Sequence, residues 1–210
     1  MLREMATTLA RLKDGYTNGG RSLGMRAMGS FRSLPVSPNQ LTVAGLTGNA
    51  GAAVLVYRGE YLWATAAFLA GSVLDVLDGA LARSHGKLTP FGGFLDSTTD
   101  RISEGLMLGA IALVLAREGE TVALACVFVA LVGSFLVSYT RAKAEALGLA
   151  CSVGLMTRTE RIVLLAVALP FAGAGSLPYA VELLAVLTAF TVWQRVSHVH
   201  RQLTSQPSEV

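Results

Sequence analysis

Apolar residues run in long blocks separated by short polar punctuation. A bilayer-spanning helix needs about 20 mostly apolar residues. Six stretches are candidates: 39–57, 61–82, 94–116, 121–144, 161–174 and 177–196, the fifth of them short and free to start a turn earlier. The breaks at 58–60, 84–93, 117–120, 147–157 and 173–178 hold the glycines, prolines and charges that interrupt helices. Upstream, Leu2, Met5, Leu9 and Leu12 recur at helical spacing with Arg3, Arg11 and Lys13 between them. That pattern predicts an amphipathic helix lying on the membrane surface, and residues 1–35 lack the apolar core and cleavage site of a signal peptide. The expected organisation is all-α. A juxtamembrane surface helix occupies 1–36, a six-helix membrane domain spans 37–200, and a polar, disordered tail covers 201–210.

Composition agrees with a membrane solvent. Apolar residues make up 52% and charged residues 15%, against about 25% charged in a soluble domain; the mean hydropathy is +0.53. This excludes a disordered chain, a disulfide scaffold and a basic nucleic-acid-binding domain, since the net charge is only +3. Cys126 and Cys151 are far apart and read as free, structural thiols. Six spans leave both termini on one side. With that side cytoplasmic, 14 Lys and Arg residues lie inside, only Arg58 and Arg117 outside, and Arg101 within a span. The bias predicts a multi-pass protein of the cell membrane with both termini and its charged site facing the cytoplasm.

Charges interrupt the apolar blocks at two places. Asp75 and Asp78 are i,i+3 near the cytoplasmic end of the second span, and Asp96 and Asp100 are i,i+4 near the start of the third, followed by Arg101 and Glu104. Each pair shares a helix face. The short connection predicts antiparallel neighbours with both pairs at one depth. Crowded carboxylates repel and need protons or cations to neutralise them. All-carboxylate donors suit hard divalent ions such as Mg²⁺ or Mn²⁺, and two ions about 4 Å apart would form a clamp for phosphoryl chemistry. A cation or proton transporter is the alternative from a different class, because transport sites also use intramembrane acids. Gly79 beside Asp78, Ala82 one turn on, and Arg83 at the interface favour a flat, phosphate-bearing ligand, as do Gly92 and Gly93 at the next helix start.

Asp75, Asp78, Gly79, Ala82, Arg83, Gly92, Asp96 and Asp100 fall at fixed spacing over 26 residues. This resembles the signature of the CDP-alcohol phosphotransferase family, with every fixed position filled. The resemblance implies a six-helix membrane enzyme, commonly a homodimer. Such an enzyme transfers a substituted phosphate from a CDP-linked donor, often CDP-diacylglycerol, to an alcohol and releases CMP. It implies metal ligation by Asp75, Asp78, Asp96 and Asp100, with Asp100 also the general base. Gly79 and Ala82 would face cytidine, and Arg83 would hold donor phosphate.

The acceptor is read from a second set. Arg158 and Arg161 are i,i+3 at the start of the fifth span, and Arg141 follows Ser138 by three residues at the end of the fourth. Together they would cradle a phosphate on the acceptor. Residues 138–145 and 158–161 resemble segments of the phosphatidylinositol-phosphate synthase branch. There, the matching serine, basic residue and paired arginines hold inositol phosphate. Arg141 stands where many relatives have lysine, Thr159 where proline is usual, and only Ser152-Val153-Gly154 remains of a glycine-rich run. The expected reaction is transfer of a phosphatidyl group from CDP-diacylglycerol to inositol phosphate or another phosphorylated polyol. Phosphatidylglycerophosphate synthesis from glycerol 3-phosphate is the near alternative.

Overall fold

The polar punctuation becomes helix caps. The computed structural model describes residues 37–84 and 89–205. The predicted surface helix over 1–36 and the residues after 205 lie outside the described residues. Helix α1 is Pro38–Tyr57. Ser37 caps it: its Oγ accepts from the Gln40 backbone N–H, Gln40 Oε1 accepts from the Ser37 N–H, and Pro38 takes the first turn. After the 58–60 turn, α2 runs Tyr61–Ser84. Helix α3, Pro90–Glu118, starts inside the predicted break because Thr89 caps it and Pro90 opens its first turn. Gly119 at φ 76° ends it. Helix α4 is Thr121–Ala146, and α5 is Arg158–Ala168. Leu169–Ala174 continues α5 as a 3₁₀ segment containing Pro170, until Gly175 at φ 81° turns the chain. Helix α6, Ser176–Ser205, continues past residue 200 into the stretch read as tail. The described residues contain no strand.

Among the described residues, three helices are long and apolar enough to cross a membrane: Tyr61–Arg83, Thr121–Ala146 and Ser176–Ser205. The stretches predicted at 39–57, 94–116 and 161–174 fall short for a physical reason. Helix α1 carries Asn39, Gln40 and Asn49, α3 carries Asp96, Asp100, Arg101 and Glu104, and α5 is 11 residues long. Several polar residues of the site sit in these helices. The outer surface is apolar, with Leu62, Trp63, Val76, Val122, Phe128 and Val186 all exposed, as a lipid-facing surface requires. The chain is a membrane protein.

Packing corrects one expectation. Helices α2 and α3 do not pack along their length as antiparallel neighbours; α1 packs against both, while α4 pairs with α6. Across the gap, Asp78 and Gly79 of α2 face Gly93 and Asp96 of α3. Apposed carboxylates cannot form a dry helix interface. The apolar core lies beyond this gap, around Val56, Phe68, Met107, Ile111, Leu169 and Val181. The α1–α2 contact depends on glycine. A Cβ on Gly71 would meet the Asn49 side chain and the Gly45 carbonyl within 2.9 Å, so only a bare backbone lets the helices close here.

Candidate active site

The helical spacing delivers the carboxylates as read, but on two sides of one opening. Asp75 and Asp78 are buried on α2, at 8% and 3% exposure. Gly45 makes room for the first: a Cβ there would collide with Asp75 Oδ1. The Thr42 hydroxyl of α1 lies in hydrogen-bond contact with Asp78 Oδ2. Asp96 and Asp100 are half-buried on α3. Arg158 Nη2 donates to Asp75 Oδ2 at 2.7 Å and lies 2.9 Å from Asp100 Oδ1, an ion-pair contact without a hydrogen bond.

Two cavities meet at Asp96 and Arg83. The first, about 550 Å³, is lined by Thr42, Asp78, Gly79, Ala82, Gly92 and Gly93. Around Gly79 the nearest side-chain atoms are the Arg83 guanidinium nitrogens, 3.5 Å and 3.8 Å from where a Cβ would stand. Gly79 thus lines the cavity without a side chain, with the Arg83 guanidinium beside it. The three residues expected to face the donor are thus brought together.

The second cavity, about 610 Å³, holds Asp100, Ser138, Arg141, Arg158, Arg161 and Arg195. All four residues expected to face the acceptor line it. Their freedom differs. Arg141 is exposed and pairs with Glu145 at 2.8 Å. Arg161 is almost fully buried and grips both Glu104 oxygens, at 2.5 Å and 3.0 Å, while its Nη1 donates to the Met156 carbonyl at 3.1 Å. Arg158 keeps 30% of its side chain exposed. The cavity is therefore a cluster of cations held by counter-charges from below, with room left for an anion above.

Sequence reasoning missed Arg195. It was counted only as an interior-side charge, yet it is 3% exposed, donates from Nε to the Val153 carbonyl at 2.9 Å, and also bonds the Val137 carbonyl. It stands at the end of the apolar stretch 177–196, beside Gln194, Ser197 and His198, where a buried arginine looks the same as an interfacial anchor. Thr42 gave none, because its contact with Asp78 spans 36 residues.

The donor set suits a hard divalent ion, since every candidate ligand is a carboxylate oxygen. The site also demands positive charge: the Arg158 cation already spans Asp75 and Asp100. Among the described residues no three acidic, histidine or cysteine side chains converge into a ready-made metal cluster. The carboxylates fit such ions in chemistry and charge, with Arg158 as the resident counter-ion.

Comparisons with known proteins identify the family and the fold. The family model for CDP-alcohol phosphatidyltransferase matches residues 35–193. The chain is 39% identical over 175 residues to archaetidylinositol phosphate synthase of Pyrococcus horikoshii, covering 83% of this chain and 89% of that one. It is 38% identical over 179 residues to phosphatidylinositol phosphate synthase of Streptomyces avermitilis, covering 80% and 73%. The fold superposes on phosphatidylinositol phosphate synthase of Mycobacterium tuberculosis with CDP-DAG bound, at a TM-score of 0.75 and 29% identity, over 85% of this chain and 94% of that one. The same enzyme in complex with manganese and citrate gives 0.72 at 30% identity, covering 82% and 86%. The chain belongs to the CDP-alcohol phosphatidyltransferase family.

Proposed function

We propose that this chain transfers the phosphatidyl group of CDP-diacylglycerol to inositol phosphate, giving phosphatidylinositol phosphate and CMP. The observation that carries the reading is the pair of cavities meeting at Arg83 and Asp96, one lined by small residues and the other by arginines. The first would take the donor's cytidine against Gly79 and Ala82, with Arg83 on its phosphate. The second would take the acceptor's phosphate among Ser138, Arg141, Arg158, Arg161 and Arg195. A neutral alcohol would gain little from those guanidinium groups, whereas a phosphate would add charge-assisted bonds on their open side. The names of the relatives support the same acceptor class.

Two divalent ions, Mg²⁺ or Mn²⁺, would be held by Asp75, Asp78, Asp96 and Asp100. When bound they neutralise the donor pyrophosphate and the departing CMP. The chain's own groups do the rest. Asp100 accepts the proton of the acceptor hydroxyl, whose oxygen attacks the phosphorus bearing the diacylglycerol as the bond to CMP breaks. The arginines and the shared cavity edge align the two substrates, and most of the barrier reduction is positioning and charge stabilisation. The Asp75 and Asp78 carboxylates are seated by Gly45 and Thr42. Gly45→Ala is therefore expected to lower metal-dependent CMP release by about 10–100-fold with the fold retained; unchanged release would show that Asp75 has no fixed seat.

The wider organisation belongs to the same reading. Six spans, an N-terminal surface helix, cytoplasmic termini and active site in the cell membrane, and a homodimer are proposed together. The positive-inside charge distribution supports the orientation. Nucleotide binding tests the enzyme against a cation transporter. CMP should raise the melting temperature of the detergent-purified protein only when Mg²⁺ or Mn²⁺ is present. A protein that responds to the metal and ignores the nucleotide would favour transport. In vesicles containing CDP-diacylglycerol, inositol phosphate should trigger metal-dependent CMP release.

A further inference from the structure

Beside the acceptor cavity, and sharing Asp100, Glu104, Arg158 and Arg161 with it, lies a small space of about 20 Å³. Asn49 of α1, Ser72 of α2 and Asp100 of α3 all line it, among Phe68, Met107 and Leu165. Four buried side-chain polar atoms among the described residues have no hydrogen-bond partner, and three are on residues that line this space: Asn49 Oδ1, Ser72 Oγ and Asp100 Oδ1, the last in ion-pair contact with Arg158 Nη2 at 2.9 Å. The fourth, on Ser134, belongs to α4.

Such atoms are costly inside a membrane, because a buried polar group left unmet loses its hydration with nothing in exchange. Asn49 is 1% exposed and Ser72 is 7% exposed, so bulk water reaches neither. Ser72 differs from the helical threonines. Thr65, Thr98, Thr140, Thr188 and Thr191 each donate to the carbonyl four residues back. Ser72 does not, which leaves its proton for the cavity.

We propose that this space holds one structural water that positions Asp100. The volume fits, because a water needs about 10–15 Å³ of such space and two to four polar partners. The donor and acceptor count also closes. The Ser72 hydroxyl donates to the water, and the water's two protons go to Asn49 Oδ1 and Asp100 Oδ1. Asp100 Oδ1 is sealed on this side, while the side chain keeps 19% exposure toward the acceptor cavity. The water anchors the inner oxygen and leaves the outer one to take the acceptor's proton. Asn49 and Ser72 are positioning residues for the general base, acting from two other helices. This inference rests on the proposed role of Asp100.

The test compares Asn49→Leu, Ser72→Ala and the double variant with the wild type, by CMP release in vesicles and by CMP affinity with Mn²⁺. Each single change should lower kcat about tenfold. Both substrate KM values and CMP affinity should stay within about twofold. Because both changes remove the same water, the double variant should fall no more than about twofold below the weaker single variant. Losses that multiply, or a KM rise with kcat intact, would overturn the proposal. Ser72→Ala removes one oxygen and keeps the test open if Asn49→Leu does not fold; unchanged kcat in that variant also overturns it. The water stands independently of the substrate assignment. If wild-type protein makes no lipid from inositol phosphate, the proposed function fails. A high-resolution density map then decides the site: a peak within hydrogen-bond distance of all three atoms supports it, and a space without one overturns it.

Discussion

Asp100→Asn should reduce turnover by about 10³-fold while leaving CMP affinity intact. The substitution keeps the side chain's shape and one oxygen donor but removes its ability to accept a proton, and a positioned base contributes about 10²–10⁴-fold. Its surroundings favour a clean reading. The carboxylate sits between Arg158 and the small space lined by Asn49 and Ser72, so the amide keeps polar neighbours. The proposed donor site is the neighbouring cavity lined by Gly79, Ala82 and Arg83. Nucleotide affinity measured by the metal-dependent melting shift therefore separates lost chemistry from lost binding. Near-normal turnover would remove Asp100 from the role of base. A parallel loss of CMP affinity would assign it to metal binding alone.

The second large effect is on the acceptor. Arg158→Ala should raise the KM for inositol phosphate by about 10–100-fold and change the KM for CDP-diacylglycerol far less, since a hydrogen bond to a charged group contributes about 1.5–3 kcal/mol. Arg158 is the clean probe because its side chain is partly open to the cavity. Arg161 is not. It is locked onto Glu104 with both carboxylate oxygens engaged. Arg161→Ala would strand a largely buried carboxylate and destabilise the fold by about 3–5 kcal/mol. Its melting temperature should drop, and removing Glu104 as well should restore part of it. Equal KM effects on both substrates from Arg158→Ala would place this residue on the donor side or in folding.

The chemistry was legible where it is local. Asp75 with Asp78, and Asp96 with Asp100, share helix faces by spacing alone, and Gly79, Ala82 and Arg83 follow on the same register. Helix ends were legible from Ser37-Pro38, Gly119 and Gly175, because caps are short-range chemistry. The apolarity of whole spans was a poorer guide: the site's polar residues dilute α1 and α3. What pairs with what was not legible. Arg158 meets Asp75 across 83 residues and Arg161 meets Glu104 across 57. Neither distance leaves a periodic trace. The short connection between α2 and α3 suggested close packing, but carboxylates on both helices hold the gap open and α1 fills the role of common neighbour. Asn49 was visible as a polar residue in an apolar block, and its meaning emerged only when α2 and α3 placed Ser72 and Asp100 beside it.

The most direct test of the central claim is a competition between acceptors. Purified protein in vesicles with CDP-diacylglycerol and Mg²⁺ is offered inositol phosphate and glycerol 3-phosphate together, and the lipid product is identified by mass. The arginine-lined cavity predicts phosphatidylinositol phosphate as the main product. Phosphatidylglycerophosphate as the main product would contradict the acceptor assignment, while leaving the family, the aspartate site and the direction of transfer in place.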